Sequence, residues 1–337
     1  MTSRNLTKGK SHANTEKLIT ESDLIARILS GTEKMHSRIL IGPGDDSAIF
    51  ENKKTAISTD LTIENVHFCR NWVNLDEVGY RAVMVAVSDL AAMASNPFGV
   101  LISLALPEEN AVRITEELGD GIRRALRKIG ATLIGGDLSR SPGPIIIDVV
   151  VLGEINDLIT RRGIRPGDDI WVTGVLGGSS AAVKTWLAGG VPENGLRETF
   201  AKPPFRVREA QWLVKNAGIR TMIDLSDGLL RDLSHLAQAS KVGIVLESDV
   251  IPLHPDLDVD DALSLGISGG EDYELCLVSK KGALDPFLEK FRDEFDISMT
   301  KVGYVEKGSE VRVVGEYSTS LMQQNVSGFD HFSPWRV

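Results

Sequence analysis

Apolar positions along the chain follow two spacings, one typical of strands and one typical of helices. Short apolar runs that end at Gly, Pro or Asp predict strands over residues 55–60, 98–106, 132–137, 145–154, 170–173, 221–224, 242–247, 273–279, 299–305 and 311–314. Apolar residues three and four apart predict helices over residues 21–30, 76–94, 108–129 and 228–240, with others opening near Gly178 and at Pro203. Because helices and strands mix in both halves, the sequence predicts an α/β or α+β fold.

The segment 156–169 differs in character from the sequence on both sides of it. It contains Arg161, Arg162 and Arg165 together with a Pro and two Gly. A change of this kind favours a domain boundary. We therefore predict a flexible tail over residues 1–20, an N-terminal domain over 21–155 and a C-terminal α/β domain over 156–337.

Composition and charge exclude several classes of protein. The 337 residues include 47 acidic and 37 basic ones, for a net charge of −10, which argues against coating nucleic acid or an anionic membrane. Cys69 and Cys276 are too few for a disulfide framework or a four-cysteine zinc site. No apolar run is long enough to span a bilayer, and residues 1–17 lack the apolar core of a signal peptide. We expect a cytoplasmic protein.

Acidic residues at predicted strand ends and glycine turns are the main chemical signal. Each of them also fits a turn or a helix cap, where Asp is common. They are Asp45 and Asp46 in GPGDDSA, Asp60 in STD, Asp137 in GGD, Asp224 and Asp227 in DLSDGL, and Glu271 and Asp272 in GGEDYEL. Asp89 is different, because it falls inside an apolar helix pattern, where a carboxylate is costly unless it is paired or binds a metal.

Convergent carboxylates repel one another unless a cation lies between them. Oxygen ligands suit Mg²⁺, and Mg²⁺ on carboxylates usually serves a phosphate substrate. Six histidines without a spaced cluster make zinc a poor alternative. The chain has neither a P-loop nor the paired motifs of protein kinases, and the glycine-rich residues 173–182 fit a strand-to-helix turn. Neither Ser226 nor Thr59 has an obvious base beside it, so no covalent nucleophile is expected.

In order along the chain, these segments resemble the thiamine-monophosphate kinase family. The matching pieces are GPGDDSAIF, STDLTIENVHF, RAVMVAVSDLAAMASNP, LIGGDLSRS, RRGIRPGDDIWVTGVLG, MIDLSDGL, SGGEDYELCLV and GFDHF. The resemblance implies a two-domain α/β protein that forms a homodimer through its N-terminal mixed sheet and helices. It also implies transfer of the γ-phosphoryl group of ATP to thiamine monophosphate, giving thiamine diphosphate, with several Mg²⁺ ions.

The resemblance assigns roles to individual residues. The implied metal ligands are Asp45, Asp46, Ser58, Thr59, Asp60, Asp89, Asp137, Asp224 and Asp227. The implied ATP contacts are Gly136, Asp137, Arg161 and Ser226, and the implied thiamine contacts are His67, Glu271 and Phe329. His67 and Phe329 also fit core positions, and Glu271 fits a metal or turn role. Gly119 stands where the family commonly has an aromatic residue that touches the nucleotide.

Two other interpretations stay open at this point. The first is a sister ATP-dependent enzyme of the same superfamily, which includes aminoimidazole ribonucleotide synthetase and selenophosphate synthetase, with another substrate. The second is a catalytically dead nucleotide-binding homologue. The expected acids are all present, which disfavours the dead homologue. The first cysteine, Cys69, lies outside any N-terminal glycine-rich loop, which disfavours a selenophosphate synthetase.

Overall fold

Two mixed sheets organise the chain. The computed structural model describes residues 39–41, 45, 47–50, 54–258 and 261–316, which all belong to one unit, Met35–Phe329. The tail, the helix predicted over 21–30, Asp46 and Phe329 lie outside the described residues. The α/β fold class is confirmed by the observed helices and strands.

The first sheet has the strand order β1-β2-β3-β6-β4-β5. Its strands are β1 (Ile39–Ile41), β2 (Ala48–Phe50), β3 (Thr55–Ile63), β4 (Asn96–Pro107), β5 (Thr132–Ser141) and β6 (Ile146–Glu154). Only β4 and β5 pair in parallel among the described strands of this sheet. Ile147, Val149 and Val151 of β6 alternate toward a buried core, so one face of the sheet is covered by helices.

Two helices cover that face, α1 (Leu75–Ala92) and α2 (Ala111–Ile129). The predictions began α1 at residue 76 and α2 at residue 108. Instead Asn74 is the N-cap, and its backbone N–H donates to the Glu77 carboxylate (2.8 Å). The segment after β4 turns through Asn110, whose φ of 60° is left-handed, so α2 begins only at Ala111.

The second sheet has the order β12-β9-β11-β7-β10-β8. Its strands are β7 (Asp169–Thr173), β8 (Thr221–Asp224), β9 (Gly243–Glu247), β10 (Leu275–Ser279), β11 (Met299–Glu306) and β12 (Val311–Val314). Both faces are buried: Leu275 and Leu277 of β10 join the core shared with the first sheet, while Cys276 and Val278 face a second core. This accounts for the continuous apolar sequence of β10.

Six helices accompany the second sheet in the described chain. They are α3 (Gly178–Leu187), α4 (Asn194–Ala201), α5 (Val207–Ala217), α6 (Leu229–Ser240), α7 (Ala262–Ser268) and α8 (Leu288–Phe295), with short 3₁₀ turns at Ser248–Val250 and Asp285–Phe287. The glycine-rich segment between β7 and α3 is a strand-to-helix turn, as predicted. No helix in the described ranges is long and apolar enough to cross a bilayer.

Helices α1 and α2 pack closely because glycines face each other's backbone. A Cβ on Gly121 would lie 1.7 Å from the Asp76 carbonyl oxygen, and one on Gly79 would lie 2.2 Å from that of Leu118. Gly119, in the same helix, is different, because its Cβ would meet only the flexible end of Arg123 at 3.0 Å. Close contact at Gly121 therefore leaves no room for a methyl group.

We expect Gly121→Ala to lower the free energy of unfolding by about 1–3 kcal/mol, because the two helices must separate. Gly119→Ala is the matched control, and it should leave stability unchanged or raise it, since Ala favours helix over Gly. Denaturant unfolding of both variants measures the difference. Equal stabilities of the two variants would contradict the close contact.

Candidate active site

Helix α1 brings one predicted acid against the first sheet. Asp89 lies inside this helix, and its Oδ2 accepts a hydrogen bond from the hydroxyl of Ser58 on β3. The Asp89 carboxylate, which would cost free energy in an apolar helix without a partner, is thus hydrogen-bonded to Ser58, another predicted site residue. Alternation along β3 places Asp60 on the same face as Ser58, toward the helices.

The residue before Asp89 on α1 reaches the second sheet. The Ser88 hydroxyl donates to Oδ2 of Asp224 at the end of β8, at 2.7 Å, and both residues are buried. Neighbouring serine and aspartate side chains on one helix therefore connect acids from the two halves of the chain. Ser88 was not predicted as a site residue, because its role depends on a contact with a residue far away in sequence.

The turn after β8 and helix α6 each add one acid to this group. The backbone N–H of Asp227 donates to Oδ2 of Asp232 at 3.3 Å. Burial raises the pKa of Asp232, the negative charges of Asp227 and Asp224 raise it further, and Arg161 opposes them. Ligand atoms of Asp227, Asp232 and His235 lie within 4.8 Å of one another. Asp232 and His235 were not predicted as site residues, although their spacing of three along the sequence of α6 places them on one face of the helix.

Asp45 and Arg161 approach the site from outside the regular elements. The Arg161 backbone N–H donates to Oδ1 of Asp45 at 3.3 Å. The Arg161 side chain is close enough to Asp232 to lower its pKa against the effect of burial. The structure thus brings these predicted residues toward the acids of the DLSDGL turn.

Two glycine turns of the C-terminal half pack on each other by backbone contacts. The N–H of Glu271 donates to the Ser226 carbonyl, and that of Tyr273 donates to the Leu225 carbonyl, both at 2.8 Å. A Cβ on Gly270 would lie 2.6 Å from the Ser226 carbonyl oxygen, so only glycine allows this approach. The DLSDGL and GGEDYEL segments therefore form one structural unit that presents Ser226 and Glu271 together.

Tyr273 marks where the two halves of the site meet. Its ring is buried, and burial raises the pKa of the phenol. Negative charges on Glu271, Asp60 and Asp224 raise that pKa further, whereas Arg81 lowers it. Carboxylates of the first sheet, of β8 and of the GGED turn thus all lie within electrostatic reach of one side chain.

His67 follows β3 and is held by its own turn. The Ile63 backbone N–H donates to Nδ1 of the imidazole at 3.0 Å. Since Nδ1 accepts, the ring proton of neutral His67 lies on Nε2. The half-buried ring can donate to a ligand only through that atom.

Two predicted ligands lie elsewhere within this chain. Thr59 points away from Ser58 and Asp60, and its hydroxyl donates to Oδ1 of Asp148 at 2.8 Å. Asp137 lies on the edge strand β5. The residues paired across the sheet from Asp60 of β3 lie on β6 and β4, and the last of them is Gly136 on β5. Three strand spacings of about 4.8 Å place Gly136 roughly 14 Å from Asp60.

The donors that do converge suit a hard divalent cation. Asp45, Ser58, Asp60, Asp89, Asp224 and Asp227 offer only oxygen atoms. The mutual repulsion evident at Asp232 is what a cation would relieve. A bound divalent cation can offset the negative charge of bound phosphates, whereas the carboxylates alone would repel them.

Comparison with known proteins matches this architecture over nearly the whole chain. Residues 44–155 match the N-terminal domain, and residues 165–316 the C-terminal domain, of AIR synthase related proteins. The thiamine-monophosphate kinase of Aquifex aeolicus is 34% identical over 285 residues, which cover 81% of this chain and 89% of the relative. This chain belongs to the thiamine-monophosphate kinase family.

Solved structures agree with the family assignment. One described as "AaThiL complexed with AMPPCP and TMP" has a TM-score of 0.78 and 31% identity, and covers 93% of this chain and 97% of that one. A thiamine-monophosphate kinase from Stenotrophomonas maltophilia K279a has a TM-score of 0.73 and 30% identity, covering 88% and 95%. The hydrogenase maturation protein HypE in complex with ATP, at 18% identity and a TM-score of 0.67, shares the fold.

Proposed function

We propose that this chain transfers the γ-phosphoryl group of ATP to the phosphate of thiamine monophosphate, giving thiamine diphosphate and ADP. The observation that carries the proposal is the meeting of acids from both halves around α1, in a chain of the kinase family. The transfer is direct and in line, because a phosphate oxygen of the acceptor is already a nucleophile. The acceptor oxygen forms the new P–O bond as the bond to ADP breaks, and no residue of the chain is phosphorylated.

Carboxylates supply the framework for several Mg²⁺ ions. We assign Asp45, Asp46, Ser58, Thr59, Asp60, Asp89, Asp137, Asp224 and Asp227 as the ligands. Bound Mg²⁺ would neutralise charge on both phosphate groups. The residues themselves orient the acceptor and the nucleotide relative to each other, and such alignment is a large part of catalysis in phosphoryl transfer.

The remaining assigned residues bind the two substrates. Gly136, Asp137, Arg161 and Ser226 contact ATP, and Arg161 adds a positive charge to that of Arg231, whose Nε lies 3.2 Å from Oδ2 of Asp227. His67, Glu271 and Phe329 contact thiamine monophosphate. His67 donates from Nε2, since Nδ1 is engaged by the Ile63 N–H, and the carboxylate of Glu271 faces the cationic part of thiamine.

We further propose that the active form is a homodimer in which a second copy completes each site. The evidence is the placement of β5: residues 132–140 are all exposed, including Leu133, Ile134 and Leu138, and its outer edge is unpaired in the described chain. An exposed apolar edge strand favours association. In this proposal the second copy supplies its Gly136 and Asp137 to the site of the first copy.

We also propose that the chain divides into two domains between residues 155 and 156, and that the N-terminal domain forms the dimer. The cytoplasmic location also stays a prediction from the sequence.

The test is a parallel assay of ADP formation from Mg·ATP with thiamine monophosphate, thiamine and aminoimidazole ribonucleotide-type acceptors. We expect thiamine diphosphate, detected directly, with the monophosphate and loss of all turnover when EDTA removes the metal. Added Mg²⁺ should restore the activity. Turnover that persists in EDTA would contradict the metal mechanism. Folded protein that binds Mg·ATP but does not use thiamine monophosphate would favour a sister enzyme or a dead homologue.

A further inference from the structure

A buried arginine holds the GGED turn from across the molecule. Arg81 lies on α1 and is 3% exposed. Its Nη2 is 2.6 Å from Oε1 of Glu271, and its Nη1 donates to the carbonyl oxygen of Phe200 at 2.7 Å. The guanidinium carbon lies 4.1 Å from the centroid of the Phe200 ring. Three contacts from the C-terminal half thus fix one side chain of the N-terminal half.

These contacts constrain the Arg81 side chain, because burying a cation costs free energy unless its N–H donors have partners. The planar guanidinium presents its N–H groups in a fixed fork, so the Phe200 carbonyl and ring determine where Nη2 points. Phe200 is itself anchored, since its ring packs edge-on against Trp186 at 5.3 Å and Trp72 at 6.4 Å. The position of the Glu271 carboxylate is therefore set by a rigid cluster outside its own turn.

Glu271 needs such support for two reasons. Its backbone is left-handed, with a φ of 69°, which is strained for a residue with a side chain. Its carboxylate also lies in a region where Asp60 and Asp224 add negative charge, as the pKa of the neighbouring Tyr273 shows. Without a cation beside it, repulsion would drive this carboxylate away from the other acids. The Glu271 side chain nevertheless keeps 26% of its surface exposed, so a ligand can still reach it.

We propose that Arg81 is a positioning residue for thiamine monophosphate. It keeps the carboxylate of Glu271 aimed at the cationic part of the substrate, while touching no substrate itself. This inference rests on the proposed function, because it requires Glu271 to bind thiamine. Arg81 therefore affects recognition of thiamine monophosphate and does not affect binding of the metal or the nucleotide.

The test compares Arg81→Met and Arg81→Lys with a matched control, Arg197→Met. Arg197 also joins the halves, with Nη2 and Nη1 at 2.6 and 2.9 Å from the Glu77 carboxylate, but it does not contact Glu271. We expect Arg81→Met to raise KM for thiamine monophosphate about 10–100-fold, the size of one lost charge-assisted hydrogen bond. KM for ATP should stay within about threefold. Arg81→Lys should fall between, since an ammonium lacks the fork, and Arg197→Met should keep both KM values.

A double variant distinguishes a positioning role of Arg81 from a purely structural one. If Arg81 acts through Glu271, then Arg81→Met/Glu271→Gln should show the same KM for thiamine monophosphate as Glu271→Gln alone. Additive effects, or equal changes in both KM values, would make Arg81 a structural brace and overturn the inference. Should Arg81→Met not fold, Arg81→Lys in the same cycle carries the test. Absence of thiamine monophosphate turnover in the unaltered protein would instead sink the proposed function.

Discussion

Asp224→Asn is expected to lower kcat by about 10³-fold or more, because a neutral amide would hold Mg²⁺ less well than a carboxylate and the bound metal would offset the charge of two anionic reactants. Asp224 lies at the end of β8, buried, with Ser88 on one side and the acids of the DLSDGL turn on the other. Asparagine has the same shape, and its oxygen can still accept from Ser88. The substitution also removes one of several mutually repelling charges. Stability of the metal-free protein should therefore stay the same or increase while activity is lost.

Asp169→Asn provides the matched control. Asp169 is also a buried carboxylate of the second sheet, but it pairs with Ser279 at the opposite end of β10 from Asp224. It bonds Lys301 at 2.6 Å and the Gly282 N–H at 2.8 Å. Its replacement should lower stability and leave kcat unchanged, the reverse of the pattern for Asp224. Thermal unfolding and steady-state kinetics on both variants measure this contrast, and similar kcat values in the two would contradict the site.

Much of the fold could be predicted from the sequence because burial in the two sheets leaves regular patterns. The apolar runs of β6 and β10 predicted both strands within two residues. Some errors lie at element ends, where side-chain caps and left-handed residues such as Asn110 decide the boundary. Patterns of apolar residues carry no information about such local contacts. Other errors are short elements that were not predicted, such as β2 and α7.

Candidate site residues could be predicted where a local sequence motif marks them. They were missed where their role depends on contacts with residues far along the chain. Acids beside glycine turns could be identified from the sequence alone. The roles of Ser88 and Arg81 could not, since their partners Asp224 and Glu271 lie far along the chain. The sequence did contain one unused constraint: Ser58, Thr59 and Asp60 are consecutive in a strand, so Thr59 must face away from the other two.

The pairing register of the same sheet leads to the second prediction, which concerns two copies of the chain. Asp60 and Asp137 are on strands three places apart, because Asp60 aligns across β6 and β4 with Gly136, the neighbour of Asp137. If both serve one site, as the family resemblance implies, the second residue must come from another copy. A mixed dimer of Asp60→Asn and Asp137→Asn chains then has one site with both changes and one site with neither.

Co-expression with two affinity tags allows purification of that mixed dimer, and light scattering confirms its size. We expect about half of the wild-type turnover per dimer, although each variant alone is nearly inactive. The reciprocal control pairs a wild-type chain with an Asp60→Asn/Asp137→Asn chain. Sharing of residues between copies leaves one substitution in each of its sites, so this dimer should be nearly inactive. The opposite outcome, an inactive first dimer and a half-active second one, would mean that each copy supplies both acids to its own site.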